Sequence, residues 1–361
     1  MQSKIKSLQS LRAFAIFSVA LFHFTYRWES TIIGKVSFTN PIFLMGHFGV
    51  QVFFMISGFI IYKTLRETSD FKTFFLHRVI RLIIPAIFLE ILILIVAKYS
   101  GISDFQYGAK VKNLFPSISL IDPGWWNLVF HSKLTWISGV QWTLSIEVSF
   151  YLLAGCLYFF VNKRFFSELL VICSGVATLL DHIPHQSRPG IIHDIDTVWA
   201  LTGFPLFWWF VVGVLFYRVF ANENSIKNVA LMIVSIGWVL LFTYDGYKGN
   251  KDGYPVIYAL VYIAFSMFLL GLVSIKSSKF EKFAGNRFTV WIGDNSYEFY
   301  LIHEIIGVTV LRKLERHFHF NVFIYGLVAA IFCVALIYTV SLVRKFAFSP
   351  IQRYLRLKIS R

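Results

Sequence analysis

Several polar side chains interrupt runs of the sequence that are otherwise apolar, and their types and spacing could do chemistry. Arg12 and His23 lie in SLRAFAIFSVALFHF, eleven residues apart. On an α-helix that spacing is roughly 1100° of rotation, about 20° past three turns, so both fall on one face, roughly 16 Å apart along the axis. Imidazole changes charge near neutrality and suits general-base work. A membrane-buried His equally serves as a hydrogen-bond partner for a neighbouring helix. Arg78 and Arg81, in FLHRVIRLIIP, are three apart and face one way. Their guanidiniums could hold a phosphorylated ligand by forked contacts, or anchor a helix end in the cytoplasm. Glu147, in WTLSIEVSFY, has Thr143 and Tyr151 one turn away. A carboxyl there must be paired, protonated or facing water, and could orient a catalytic His or pair with an Arg. In IGDNSYEFYLIHE, Ser296, Tyr300 and His303 fall at i, i+4 and i+7, a stripe that lines a cavity or ties helices together. Glu90 is a further acid in an apolar run, with no role assigned.

The elements that must position these groups follow from composition. Of 361 residues, 57% are apolar, 15% charged and 19% aromatic, including 40 Phe. Ordinary globular domains are about 45–50% apolar and about 25% charged, so most of the surplus is expected to face lipid. A disordered chain, a disulfide scaffold and a typical cytosolic enzyme are excluded. Ten apolar spans are expected, at about 8–26, 47–66, 82–98, 136–161, 165–180, 198–220, 228–244, 255–275, 289–311 and 321–343. A bilayer core of roughly 30 Å needs about 20 helical residues, and strand alternation is weak. The expected fold is an all-α integral membrane bundle of about ten transmembrane helices.

Lys plus Arg number 34 and Asp plus Glu 19, a net charge of +15. No RNA-binding or helix-turn-helix pattern stands beside that charge, so it is read as topology and not as a nucleic-acid surface. Most basic residues fall on the side of the N-terminus, which places both termini in the cytoplasm. Residues 1–343 then form one transmembrane domain, and 344–361 a basic cytoplasmic tail able to lie on anionic headgroups. Arg12 and His23 break the first apolar run and no small-residue cleavage site follows, so this helix is expected to be retained. Cys156, Cys173 and Cys333 sit apart in apolar runs and are read as packing residues. The segment DHIPHQSRPGIIHDID holds three His and three Asp but fits no ligand spacing, so no metal site is expected. The external segment 99–135 carries Trp125 and Trp126, read as interfacial aromatics or as sugar-stacking rings.

Taken in order, these motifs resemble acyltransferase family 3, the integral-membrane O-acyltransferases that decorate bacterial surface glycans. The resemblance runs from SLRAFAIFSVALFHF through FGVQVFFMISGFII, the R-x-x-R of Arg78 and Arg81, and WTLSIEVSFYLL, to GDNSYEFYLIH. Gln51 stands where many relatives carry Asp, and Val148 where many have a second acid. Some relatives carry an attached extracytoplasmic hydrolase-like domain. The sequence shows none, which gives the expectation of direct transfer to the final acceptor or of a separate partner.

The resemblance implies a bacterial inner-membrane O-acetyltransferase. Its donor would be acetyl-CoA or another acyl-CoA taken from the cytoplasmic side, with no permanently bound cofactor. Its acceptor would be a hydroxyl of a cell-surface or lipid-linked glycan, such as O-antigen, on the outer side. His23 is then the general base, with Glu147 positioning it. Arg12, Arg78 and Arg81 bind the donor, and the Arg12–His23 separation is a ruler between its anionic and reactive ends. Ser296, Tyr300 or His303 orients the acceptor or donates to the developing oxyanion. Direct transfer and an acyl-enzyme both remain open. The different class that shares intramembrane charges is a multispan transporter or flippase for a lipid-linked or anionic substrate, for which discontinuous helices and two matched halves would be the sign.

Overall fold

The computed structural model describes residues 5–32, 41–181, 201–223, 225–247 and 255–359. Among these the chain is all-helical. The principal helices are α1 (Lys6–Leu21), α2 (Gly49–Glu67), α3 (Phe71–Lys98), α4 (Trp142–Cys156), α5 (Phe166–Asp181), α6 (Phe207–Phe220) and α7 (Ile226–Tyr247). They continue with α8 (Val256–Ser274), α9 (Arg287–Asp294), α10 (Ser296–Ile302), α11 (Val308–Phe318), α12 (Val322–Val343) and α13 (Ser349–Ile359).

Among the described residues, seven stretches are long and apolar enough to cross a membrane: Lys6–Arg27, Phe43–Glu67, Phe71–Lys98, Gly139–Val161, Ile226–Asp245, Val256–Ser274 and Val322–Ile359. Their outward faces are apolar: Ile87, Ile91 and Ile95 on α3, Phe265 and Phe268 on α8, and Leu327 and Ile331 on α12 are all exposed. Rows of exposed large apolar side chains on long helices suit lipid and not water. This is a multi-pass membrane protein.

The remaining three expected spans take other forms. The fifth and sixth are apolar helices of less than full length, Phe166–Leu180 and Phe204–Phe220, and residues 198–200 lie outside the described residues. The ninth is not one helix. Asn295 separates α9 from α10, and a π-helical turn, His303–Gly307, separates α10 from α11. Of the His- and Asp-rich segment only Asp181 is described; the rest lies outside the described residues.

The chain forms two compact units, Met1–Val50 with Ile80–Trp142 and Lys282–Arg361, and Gln51–Val79 with Thr143–Glu281. In the first, α1 and α9 approach closely at Gly293, where a Cβ would collide with the Gln9 carbonyl. A Cβ at Gly49 would likewise meet the Ala15 carbonyl. In the second, α2 and α6 cross backbone to backbone, with Gly58 against Phe210 and Gly213 against Met55. Small residues at such crossings replace hydrophobic driving force with close packing. One end of this unit is charged: Glu223 pairs with Arg66 and, at 3.0 Å, with Arg218, and Lys227 pairs with Glu168.

The long segment 99–135 is ordered by its own packing as three short helices, Ser103–Gly108, Leu114–Ser119 and Pro123–Phe130. Trp126 stacks on Phe130 with centroids 5.8 Å apart and donates its indole hydrogen to Ser119 at 3.2 Å. After α12 the basic residues 344–359 continue as helix.

Candidate active site

His23 lies in a π-helical turn, Phe22–Arg27, that ends the first helix, and His303 opens the second such turn. π-turns inside α-helices are concentrated at functional sites because the widened turn re-aims side chains. The two rings meet edge to face, with centroids 4.8 Å apart, and His303 Nε2 is 3.3 Å from His23 Nδ1. His23 Nδ1 is also 2.9 Å from the Val19 carbonyl, and His303 Nδ1 2.7 Å from the Tyr300 carbonyl. Carbonyl oxygens only accept, so in the neutral rings both Nδ1 atoms carry the hydrogen. His303 Nε2 is then an acceptor facing His23, and the His23 Nε2 lone pair is free of its own hydrogen.

That Nε2 is 3.6 Å from the Glu304 carboxylate, which is almost fully buried. Trp28 donates its indole hydrogen to Glu304 Oε1 at 3.2 Å, and Ser138 its hydroxyl to Oε2 at 2.8 Å. Both carboxylate oxygens are thus held, which is what a buried carboxyl requires. Ser138 is fixed in turn. It opens a capping box with Gln141, whose side-chain oxygen accepts from the Ser138 backbone at 3.3 Å and from the Ser117 hydroxyl at 2.8 Å. The folded 99–135 segment therefore supplies, through Ser117, part of the support for the carboxylate beside His23. Gln141 leads on to Glu90, which is fully buried and faces its amide without reaching hydrogen-bond geometry.

Aromatic groups flank His23 on one side. Phe22 packs edge-on against His23 at 5.1 Å and also touches His47 at 5.4 Å. His47 Nδ1 is 2.6 Å from the Leu44 carbonyl.

The other sequence-selected residues sit as follows. Arg12 donates to Gln9 Oε1 at 3.3 Å. Ser296 donates to the Gly293 carbonyl at 2.8 Å, and Tyr300 to the Val140 carbonyl at 3.1 Å. Each spends its hydroxyl hydrogen on backbone and fixes the segment that carries His303. In the second unit, Glu147 Oε1 accepts from Ser57 at 2.6 Å and from the Tyr151 hydroxyl. Arg78 is buried there, donates to Thr64 and lies 6.0 Å over the Tyr151 ring. Arg81, half-buried in the first unit, lies within electrostatic reach of Glu298.

Sequence reasoning missed Glu304, Trp28, Ser138 and His47. Glu304 was detectable by the rule that singled out Glu147, since it is an acid followed at once by IIGVTVL.

A basic and acidic constellation of this kind, on turns that interrupt membrane helices, is what the family comparison meets. A family model for the acyltransferase domain matches residues 5–342. The chain belongs to acyltransferase family 3. It is 26% identical over 332 residues to the O-acetyltransferase OatA of Staphylococcus aureus, covering 85% of this chain and 51% of that protein. It is 25% identical over 341 residues to the peptidoglycan O-acetyltransferase OatA of Listeria monocytogenes, covering 86% of this chain and 50% of that one. The chain thus spans about half the length of these relatives. No solved structure matches it. Within the family frame, the matched region holds every residue of the histidine–carboxylate cluster.

Proposed function

We propose that this protein is a bacterial inner-membrane O-acetyltransferase that carries an acetyl group from acetyl-CoA, bound on the cytoplasmic side, to a hydroxyl of a surface glycan on the outer side. The observation that carries this reading is the His303–His23–Glu304 cluster inside a chain of acyltransferase family 3. The name of the Listeria relative points to peptidoglycan as the first acceptor to try, ahead of O-antigen.

In this scheme His23 Nε2 takes the acceptor's hydroxyl proton as that oxygen attacks the thioester carbon. The carbon–sulfur bond breaks, the ester forms, and the coenzyme A thiolate leaves with the proton from the imidazolium. Glu304, with Trp28 and Ser138 fixing its two oxygens, lies 3.6 Å from the same Nε2 and stabilises the imidazolium N–H that forms there between these steps. His303 accepts from His23 Nδ1 and holds the ring orientation. Arg12 and Arg81 are assigned to the donor, while Arg78, bound to Thr64, and Glu147 support the second unit. An oxyanion role for Ser296 or Tyr300 requires the hydroxyl to release its carbonyl. Ten crossings and two cytoplasmic termini complete the scheme.

The test uses the full chain in sealed vesicles, with labelled acetyl-CoA inside and a peptidoglycan or lipid-linked glycan acceptor outside. The expected result is label on the external glycan, lost in His23→Ala while the protein remains folded and inserted. No transfer by the wild-type chain to any glycan would overturn the assignment, and full transfer by His23→Ala would remove His23 as the base.

A further inference from the structure

Three arginines from separate elements gather at one end of the first unit. Arg81 belongs to α3, Arg344 to the turn after α12, and Arg356 to α13. The Arg344 guanidinium lies 3.5 Å from the Glu298 carboxylate, which is almost fully buried. Arg81 acts on the same carboxylate, and Arg81 and Arg344 both act on Arg356. The backbone is clamped here. Tyr297 donates its hydroxyl to the Leu82 carbonyl at 2.8 Å, and the Gln352 amide donates to the Arg81 carbonyl at 3.1 Å. Phe348 packs on Phe88 with centroids 5.6 Å apart. Arg356 is one helical turn beyond Gln352, so it is carried on the face that meets Arg81.

Like charges in such proximity repel. Glu298 and Asp294 bring carboxylates to the same neighbourhood and set the three guanidiniums against them. All three arginines are half-buried, which strengthens that repulsion yet leaves access from outside. Planar guanidiniums converging from several directions are the geometry that grips phosphate. The R-x-x-R pair divides accordingly. Arg78 is tied to Thr64 and Tyr151, whereas the arginines around Arg81 come from the C-terminal helices.

We propose that Arg81, Arg344 and Arg356 form a phosphate-binding site, with α13 and Glu298 setting the spacing of the three guanidiniums. Glu298 and His303 lie on one continuous helical stretch, five residues and about 7.5 Å of rise apart. A phosphorylated ligand gripped here has its remainder within reach of the histidines. If the acyl-CoA reading is right, the phosphate is the donor's, and this part rests on that reading. An anionic lipid headgroup presents the same chemistry, and the two sources are separable.

The experiment takes the full chain in phosphatidylcholine nanodiscs and measures binding of coenzyme A, with phosphate-free pantetheine as control. Arg344→Gln with Arg356→Gln is expected to weaken coenzyme A binding at least about tenfold, roughly one charge-assisted contact per residue, and to leave pantetheine unchanged. Glu298→Gln, which removes negative charge, is expected to tighten coenzyme A, and keeps the proposal testable if the double variant does not fold. Should coenzyme A be insensitive while the double variant loses phosphatidylglycerol retained by the wild type in native mass spectrometry, the site stands with lipid as its source. Unchanged coenzyme A affinity and unchanged phosphatidylglycerol retention in folded variants would overturn it. Arginine-dependent coenzyme A binding without any acyl transfer would count against the transferase assignment and leave the site intact.

Discussion

At the scale of single residues, the proposed transfer turns on a carboxylate adjacent in sequence to a histidine. Consecutive positions on an ideal α-helix point about 100° apart, yet His303 and Glu304 both reach His23 because they open a π-turn. A buried carboxyl needs both oxygens held, and Trp28 and Ser138 do that for Glu304. Removing the charge and removing a support should therefore differ in size. Glu304→Gln preserves volume but not the charge that stabilises an imidazolium, so the rate of acetyl transfer is expected to fall roughly 100-fold. Ser138→Ala deletes one hydrogen bond to a charged group and is expected to cost about tenfold. In both variants the loss should appear in kcat, with KM for acetyl-CoA nearly unchanged, and the thermal unfolding midpoint should move little. Equal losses in the two variants, or losses confined to KM, would contradict this division of labour.

At the scale of elements, the interrupted helices matter more than the regular ones. Apolar runs made the helices of the chain legible, and where two of them cross, Gly49 and Gly58 lie against backbone carbonyls. His23 and His303 were legible as polar breaks in apolar sequence. Their meeting was not, because 280 residues separate them and no local period encodes a contact of that range. The π-turns were equally hidden, since LFHF and LIHE satisfy an α-helical pattern as well as a widened one. The sequence leaves Glu147 open between orienting a His and pairing with an Arg, and its carboxylate accepts from Ser57 and Tyr151. The α1–α9 contact is the element-level requirement for the cluster, since α9 leads directly into the segment that carries His303. Gly293→Ala is expected to push those helices apart and destabilise the protein by about 1–3 kcal/mol, measured as a lowered unfolding midpoint in detergent. Gly237→Ala is the matched control. No atom lies near its Cβ position, and Ala favours helix over Gly, so stability there should hold or rise slightly.

At the scale of the molecule, the number of crossings is decided by the segments that fall short. Among the described residues seven stretches are long and apolar enough to span a bilayer, and an odd count puts the two termini on opposite sides. Adding the shorter α5 and α6 helices and the broken α9–α11 segment gives ten, and both termini then share a side. The charge distribution favours the second count, because Lys276, Lys279 and Lys282 before α9 and the basic residues from Arg344 onward fall together only if that broken segment crosses. A helix broken by Asn295 and a π-turn can cross where its freed backbone groups are satisfied by protein, as Tyr300 and Ser296 do here through backbone carbonyls. Single cysteines introduced at exposed positions, in a background with Cys156, Cys173 and Cys333 replaced by Ser, test this with a membrane-impermeant maleimide on intact spheroplasts. Lys110→Cys is expected to react at once. Lys6→Cys, Lys279→Cys and Arg353→Cys are expected to react only after permeabilisation. Immediate labelling at Arg353→Cys with protection at Lys6→Cys would mean an odd number of crossings, and would place the arginine cluster of Arg81, Arg344 and Arg356 on the outer side, away from any cytoplasmic phosphate donor.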